Sequence, residues 1–335
     1  MKPRILIPAL LAVSALAAAG CGGAADTSDS ASAAPSSSGK TKLSLVAYST
    51  PEVVYDQIIP DFQKTTDGKD VGFSTSFGAS GEQARAVEAG LKADVVSFST
   101  EPDMTRLVDA GLVGGDWKSQ TPSNGLVTTS LVSFIVRKGN PKGIKTWEDL
   151  LKPGVEVITP NPFTSGAAKW NLLGAYAHGG IGYVEKLISD HVKVQPKSGR
   201  DALQAFTEGQ GDVLLSYEYE ATTAQKKGED VDYVLPPDTV KIDIDIATTK
   251  DAPPAARTFL DYVLSAPAQQ RFADWGYRPV DAAVLAKNKA KFPDPPTVKT
   301  IDDLGGWDKV NSTLFDENAG AIAKVEENAG VSTAK

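Results

Sequence analysis

The sequence predicts an α/β fold built as two lobes with a ligand site between them. From Leu43 onward short apolar runs alternate with stretches of helical period, and this happens in two successive blocks followed by a helix-rich return. In the first block LSLVAY (43–48) reads as a strand and 53–64 as a helix, with apolar Val53, Val54, Ile58, Ile59 and Phe62. Residues 71–77 give a second strand, 81–89 a helix, 94–99 a third strand and 102–109 a helix closed by Gly111, the order of a parallel sheet. The second block holds the long apolar run 131–139, a short helix at 147–151 and a strand at 155–160. Helices at 169–177 and 183–189, a strand at 192–195, a helix at 201–208 and a strand at 212–217 complete it. The return carries strands at 231–236 and 242–247 and helices near 255–265 and 268–275. No repeat period shows.

The first forty residues read as an address. Residues 1–20 open with Lys2 and Arg4, continue through the apolar run 5–19 and hold no acid, the layout of a signal peptide. The run is too short to span a membrane comfortably, which takes about 20 residues. It ends in Ala18, Ala19, Gly20 and the chain's single cysteine, Cys21, and resembles a bacterial lipoprotein signal, cut before a cysteine that is then acylated. Ala18 stands where such signals most often have Leu. Residues 21–40 lack large apolar side chains and read as a disordered tether with a reach of roughly 25 Å. The expected location is the outer face of the cytoplasmic membrane, the periplasmic side, with the lipid on Cys21 as anchor.

Composition narrows the chemistry. The 335 residues, 41% of them hydrophobic, suffice for one large or two ordinary domains. With 34 Lys+Arg against 42 Asp+Glu and no basic block longer than Lys226-Lys227, general nucleic-acid binding is excluded. Removing residues 1–20 takes away Lys2 and Arg4 and no acid, moving the formal net charge from −8 to about −10. One cysteine allows no disulfide within the chain, and with only His178 and His191 besides, a zinc framework or Cys-His dyad has nothing to be built from. No metal and no resident cofactor are expected. A binding protein remains, or an enzyme using carboxylates, Ser, Lys or a borrowed cofactor.

Three segments share one form: a strand end, small or hydroxyl residues with Gly, then a helix. They are FGASGEQ (77–83), NPFTSGAAKWN (161–171) and PKSGRDAL (196–203). Such a turn aims backbone N–H groups, a Ser hydroxyl and the positive end of a helix dipole at one point, which is an anion site. Ser80, Ser165 and Ser198 are the side-chain donors. The competing reading is plain N-capping, since Ser is a preferred cap.

The runs RKGNPK (137–142), VITPNP (157–162) with SGAAKWN (165–171), GDVLLSYEYEA (211–221) and YRPVDAAV (277–284) resemble the periplasmic sulfate/thiosulfate-binding proteins of ABC importers. The likeness runs from about Lys42 to TIDDLGGW (300–307) and beyond. It implies a two-lobed periplasmic-binding-protein fold of type II with two crossover strands, in the LVSFIV and IDIDIA regions. Residues 41–130 plus 247–335 are then one lobe and 131–246 the other. It implies a non-enzymatic, monomeric receptor whose partners are sulfate or a related oxyanion and the importer permease. The family's ligand contacts fall on Ser49 after the first strand, Ser80 and Gly81, then Ser165, Gly166 and Ala167. They continue on Ser198, Gly199 and Arg200, with a one-residue gap, and on Tyr217, where some members have a tryptophan donating its indole N–H.

Other residues carry blander expectations. Glu218 and Glu220 read as first-turn helix acids on a solvated face, Arg200 as a cleft charge or the partner of an acid, His178 as a helix-end cation and His191 as a surface residue. Trp117, Trp147, Trp170 and Trp307 read as packing. A serine hydrolase is the competing class. Gly78-Ala79-Ser80-Gly81 begins like a nucleophile elbow, but Glu82 stands where the last Gly belongs, and Ser165 and Lys169 are four apart rather than three.

Overall fold

The computed structural model describes residues 41–334; the expected signal peptide, Cys21 and the tether lie outside the described residues. The first block folds as β1 Thr41–Tyr48, α1 Glu52–Gln63, β2 Val71–Gly78, α2 Ser80–Glu88, β3 Val95–Phe98 and α3 Glu101–Asp109. The second comprises β4 Leu126–Arg137, α4 Trp147–Leu150, β5 Val157–Ile158, α5 Gly166–Lys186, β6 Val192–Val194, α6 Gly199–Thr207, β7 Val213–Tyr217 and α7 Glu218–Lys226. The return holds β8 Val231–Val234, β9 Asp238–Thr248, α8 Pro254–Val263, α9 Ala266–Asp274, β10 Arg278–Pro279 and α10 Ala282–Lys287. It ends with β11 Thr297–Lys299, α11 Gly306–Val310 and α12 Ala321–Asn328.

The strands form one sheet in the order β2-β1-β3-β9-β4-β7-β5-β6. β1 pairs in parallel with β2 and β3, and β5 in parallel with β6 and β7. The antiparallel strands β4 and β9 join these two groups. β4 pairs with β9 over Leu126–Leu131 and with β7 over Val132–Val136, so it leaves one group and enters the other. Both faces of each group are covered, as parallel strands require. In β1, Leu43, Leu45 and Ala47 face one apolar cluster while Val46 joins Val96, Phe98, Met104 and Leu107 on the opposite face. In the second group Ile158, Leu214, Ala202 and Phe206 form the corresponding second face.

Several boundaries differ from the sequence reading for identifiable reasons. β4 begins at Leu126 rather than 131 because Thr128, Thr129 and Ser130, polar but suited to strands, lie inside the sheet. β5 is only two residues long: Pro160 and Pro162 have no N–H to offer a ladder. The two helices expected at 169–177 and 183–189 are both present as the two segments of α5, separated at Gly180, whose φ of 68° is a left-handed value that glycine tolerates. A π turn, Leu187–His191, follows it. The last stretch, placed with the first group on sequence, packs instead on the second. β11 joins the start of β9, α12 lies on α5, Trp307 meets Trp170 with ring centroids 4.9 Å apart, and Gln195 Nε2 donates to Glu326 Oε1 at 3.1 Å. The apolar α12 face of Ile322, Ala323 and Val325 explains the docking.

Candidate functional site

The carboxyl ends of the parallel strands of both groups converge on the junction that β4 and β9 cross, the position where open α/β sheets place ligands. Six helix starts meet there: α1 after Ser49 and Thr50, α2 at Ser80, α3 after Ser99 and Thr100, α5 at Gly166, α6 at Gly199 and α7 after Tyr217. The groups touch closely. A Cβ built on Gly166 would lie 2.2 Å from Ser99 Oγ, and one on Gly81 3.2 Å from the Thr164 carbonyl oxygen, so both positions exclude a larger residue without a shift. Trp170 Nε1 donates to the Ser99 carbonyl at 2.6 Å. Gly199 sits opposite Thr50, with Ala167 and Glu220 Oε1 beside it.

The three Ser-Gly segments differ in what their serines do. Ser198 is a cap: it precedes α6 with extended backbone, and its Oγ accepts from Asp201 N at 3.2 Å. Ser80 lies one residue inside α2, and its hydroxyl donates to Asp103 Oδ2 at 2.6 Å while accepting from Ser99 N at 3.1 Å. The hydroxyl of Ser80 therefore spends its one donor on Asp103, which also accepts from Thr100 Oγ1 at 2.9 Å, leaving the α2 amides as the donors of that loop. Ser165 precedes α5 but makes no capping bond, and it is 4% exposed. Its hydroxyl and the amides of Gly166 and Ala167, which precede the first intrahelical bond, are thus buried donors at a positive helix end.

Tyr217 closes β7 fully buried, its ring 5.2 Å from that of Tyr219. Its Oη has no hydrogen-bond partner among the described residues, and burial holds the phenol protonated by pushing its pKa well up. Tyr219 Oη bonds Thr50 Oγ1 at 2.8 Å and donates to Tyr48 Oη at 3.2 Å, bridging the groups. Arg200 Nη2 donates to the Ser49 carbonyl and to Glu52 Oε2, both at 2.5 Å, so its guanidinium clasps the start of α1 instead of pairing with Asp201.

The expectation of a solvated face for Glu218 and Glu220 is corrected: both are buried, at 4% and 2% exposure. Helix α7 turns its first residues inward. Glu218 pairs with Arg278, which also reaches Asp294 Oδ1 at 3.2 Å. Glu220 accepts from Ser216 Oγ, and burial raises its pKa to about 7 against that bond and the charges of Arg200 and Lys227. The histidines sit apart from the serines. His178 contacts Asp238 and Glu148 and stacks on Trp147, and His191 faces the Val155 carbonyl. Neither can serve Ser80 or Ser165 as a base, which removes the triad that a hydrolase would need.

Sequence reasoning did not find Ser99, Thr50 or Asp103. A signal was present: SFST (97–100) ends a strand in hydroxyl residues before a helix, the same form as the three chosen segments but without glycine.

This two-group α/β architecture with helix starts facing a closed junction is that of a solute-binding protein. The chain belongs to the bacterial extracellular solute-binding proteins, whose family model matches residues 43–278. It is 38% identical to the sulfate-binding protein of Synechococcus elongatus, over 95% of each chain. It is 33% identical to the thiosulfate-binding protein of Escherichia coli, over 82% of this chain and 88% of that one. Among solved structures it is similar to the sulfate-binding protein SubI from Mycobacterium tuberculosis, with a TM-score of 0.80 and 45% identity, covering 82% of this chain and all of that one.

Proposed function

We propose that the protein captures sulfate outside the cytoplasmic membrane and delivers it to an ABC-type importer. The observation that carries this reading is the buried, uncapped start of α5, where the Ser165 hydroxyl and the amides of Gly166 and Ala167 have no acceptor among the described residues. Tyr217 Oη and the N-terminal amides of α2 and α6 complete a set of donors from both lobes. One lobe is 41–130 with 247–296; the other is 131–246 with 297–334. A ligand held by both favours the closed state, and closure is the signal read by the permease.

Sulfate at pH 7 carries two charges and no proton, so donors alone satisfy it, whereas hydrogen phosphate also requires an acceptor. Each charge-assisted hydrogen bond contributes about 1.5–3 kcal/mol, against about 0.3–1 from a helix terminus. Thiosulfate replaces one oxygen by a softer sulfur that accepts hydrogen bonds less well, so it ranks second. Glu220, protonated to about pH 7, adds little repulsion near the anion below that pH. The protein acts as a monomer without cofactor, and a lipid on Cys21 holds it to the membrane. Calorimetric titration with sulfate, thiosulfate, phosphate and molybdate tests the reading. A one-to-one sulfate isotherm is expected; no heat and no thermal shift with any of the four refutes it. Incorporation of labelled palmitate in cells, lost in Cys21→Ala, tests the anchor.

A further inference from the structure

A cavity of about 380 Å³ opens beside the cleft at Gly81, Ser165 and Gly166, and its wall carries three cations, Arg85, Arg106 and Lys169, and three acids, Asp103, Asp308 and Asp316. Arg85 is half-buried, and its guanidinium makes no hydrogen bond or ion pair to a described residue. Its Nη1 lies 3.2 Å from the point a Cβ of Gly81 would occupy, so the side chain folds back along α2 to the first turn. That placement is unfavourable by itself. A positive charge rests at the positive end of a helix dipole, and the guanidinium hydrogen-bonds neither the Thr164 carbonyl nor Asp103, although these lie 3.2 and 3.6 Å from the same Gly81 Cβ position. The neighbouring cations are occupied: Arg106 bonds Glu88 Oε2 at 2.8 Å, and Lys169 Nζ lies 5.6 Å from the centre of the Phe315 ring. An anion in the cavity would give the Arg85 guanidinium an acceptor while standing next to the donors of α2 and α5.

The mature chain's charge of about −10 repels a dianion at long range, so approach depends on local positive charge. We propose that Arg85 captures the incoming oxyanion in this cavity and hands it to the cleft, a role that rests on the sulfate reading above. The guanidinium fork fits an edge of a tetrahedral oxyanion, and a charge at the rim of a site governs association more than dissociation.

Stopped-flow tryptophan fluorescence with sulfate, on the wild-type protein, Arg85→Gln and Arg85→Lys, tests this. Arg85→Gln should slow association about three- to tenfold at low ionic strength, with dissociation changed less than about twofold. The gap should close in about 0.5 M NaCl, and Arg85→Lys, which keeps the charge, should retain most of the rate. Equal association rates in wild type and Arg85→Gln overturn the proposal, as does a deficit that persists at high salt. Faster dissociation with unchanged association also overturns it, placing Arg85 against the bound anion. If the wild type gives no sulfate isotherm, the sulfate reading itself fails; if it binds and only the rates are insensitive to Arg85, that reading stands and the capture role alone falls.

Discussion

The starts of α5 and α6 share a Ser-Gly step after a strand and loop, yet they use it differently. At α6 the Ser198 oxygen satisfies a backbone amide of its own helix; at α5 the Ser165 hydroxyl makes no capping bond and has no partner among the described residues. Their surroundings differ as well. A Cβ on Gly166 would stand 2.2 Å from Ser99 Oγ and 2.9 Å from Thr100 Cγ2, whereas one on Gly199 would stand 3.3 Å from the buried carboxyl of Glu220 and 3.4 Å from Thr50, a milder crowding. The same local sequence is therefore a stability device in one place and an open donor set in the other, and partners distant in the chain decide which.

The largest expected effect separates the two glycines. Gly166→Ala introduces a Cβ that would stand 2.2 Å from Ser99 Oγ, so closure is obstructed, and sulfate affinity measured by calorimetry should fall by about 3 kcal/mol. Gly199→Ala meets its nearest neighbour at 3.3 Å and should cost no more than about 1 kcal/mol. Equal losses would break the distinction. Next, Ser165→Ala should weaken sulfate binding by about 2 kcal/mol while leaving the melting temperature nearly unchanged. Ser198→Ala should do the reverse, lowering stability by about 1 kcal/mol with affinity kept. Tyr217→Phe should be smaller, weakening binding by about 1 kcal/mol. Because the phenol oxygen is buried without a partner, the free protein should melt no lower than wild type.

The smallest effect is pH-dependent and belongs to the α6 side. Burial raises the Glu220 carboxyl from 4.5 to about 7, so between those values the folded state holds a proton that the unfolded chain has released. Its contribution to stability is complete below about 4.5, declines as pH rises through 7 and levels off above. Glu326, raised to about 7 by burial on α12, acts with the same sign. Melting curves from pH 5 to 8 should show a shallower decline in Glu220→Gln; an unchanged slope would mean that the group titrates normally.

Much of the fold was legible because the alternation of apolar strands and helical stretches is a local pattern. What escaped was set by tertiary contact. Thr128 and Ser130 look like loop residues until β9 covers them, and Glu218 looks solvent-exposed until Arg278, 60 residues away, pairs with it. The site was legible at the same depth. Helix starts with Ser and Gly could be chosen from sequence, but Ser80 could not be seen to donate its hydroxyl hydrogen bond to Asp103, 23 residues on, nor Arg200 to clasp Glu52 at the start of α1. Residue type names a donor; only the fold shows whether that donor is already occupied.

The most direct measurement is the structure of the protein saturated with sulfate. The anion is predicted to lie within hydrogen-bond distance of Ser165 Oγ and the amides of Gly166 and Ala167, with Tyr217 Oη turned toward it. Sulfate bound only at the Ser198 cap, or a cleft without sulfate at saturating concentration, would contradict the account.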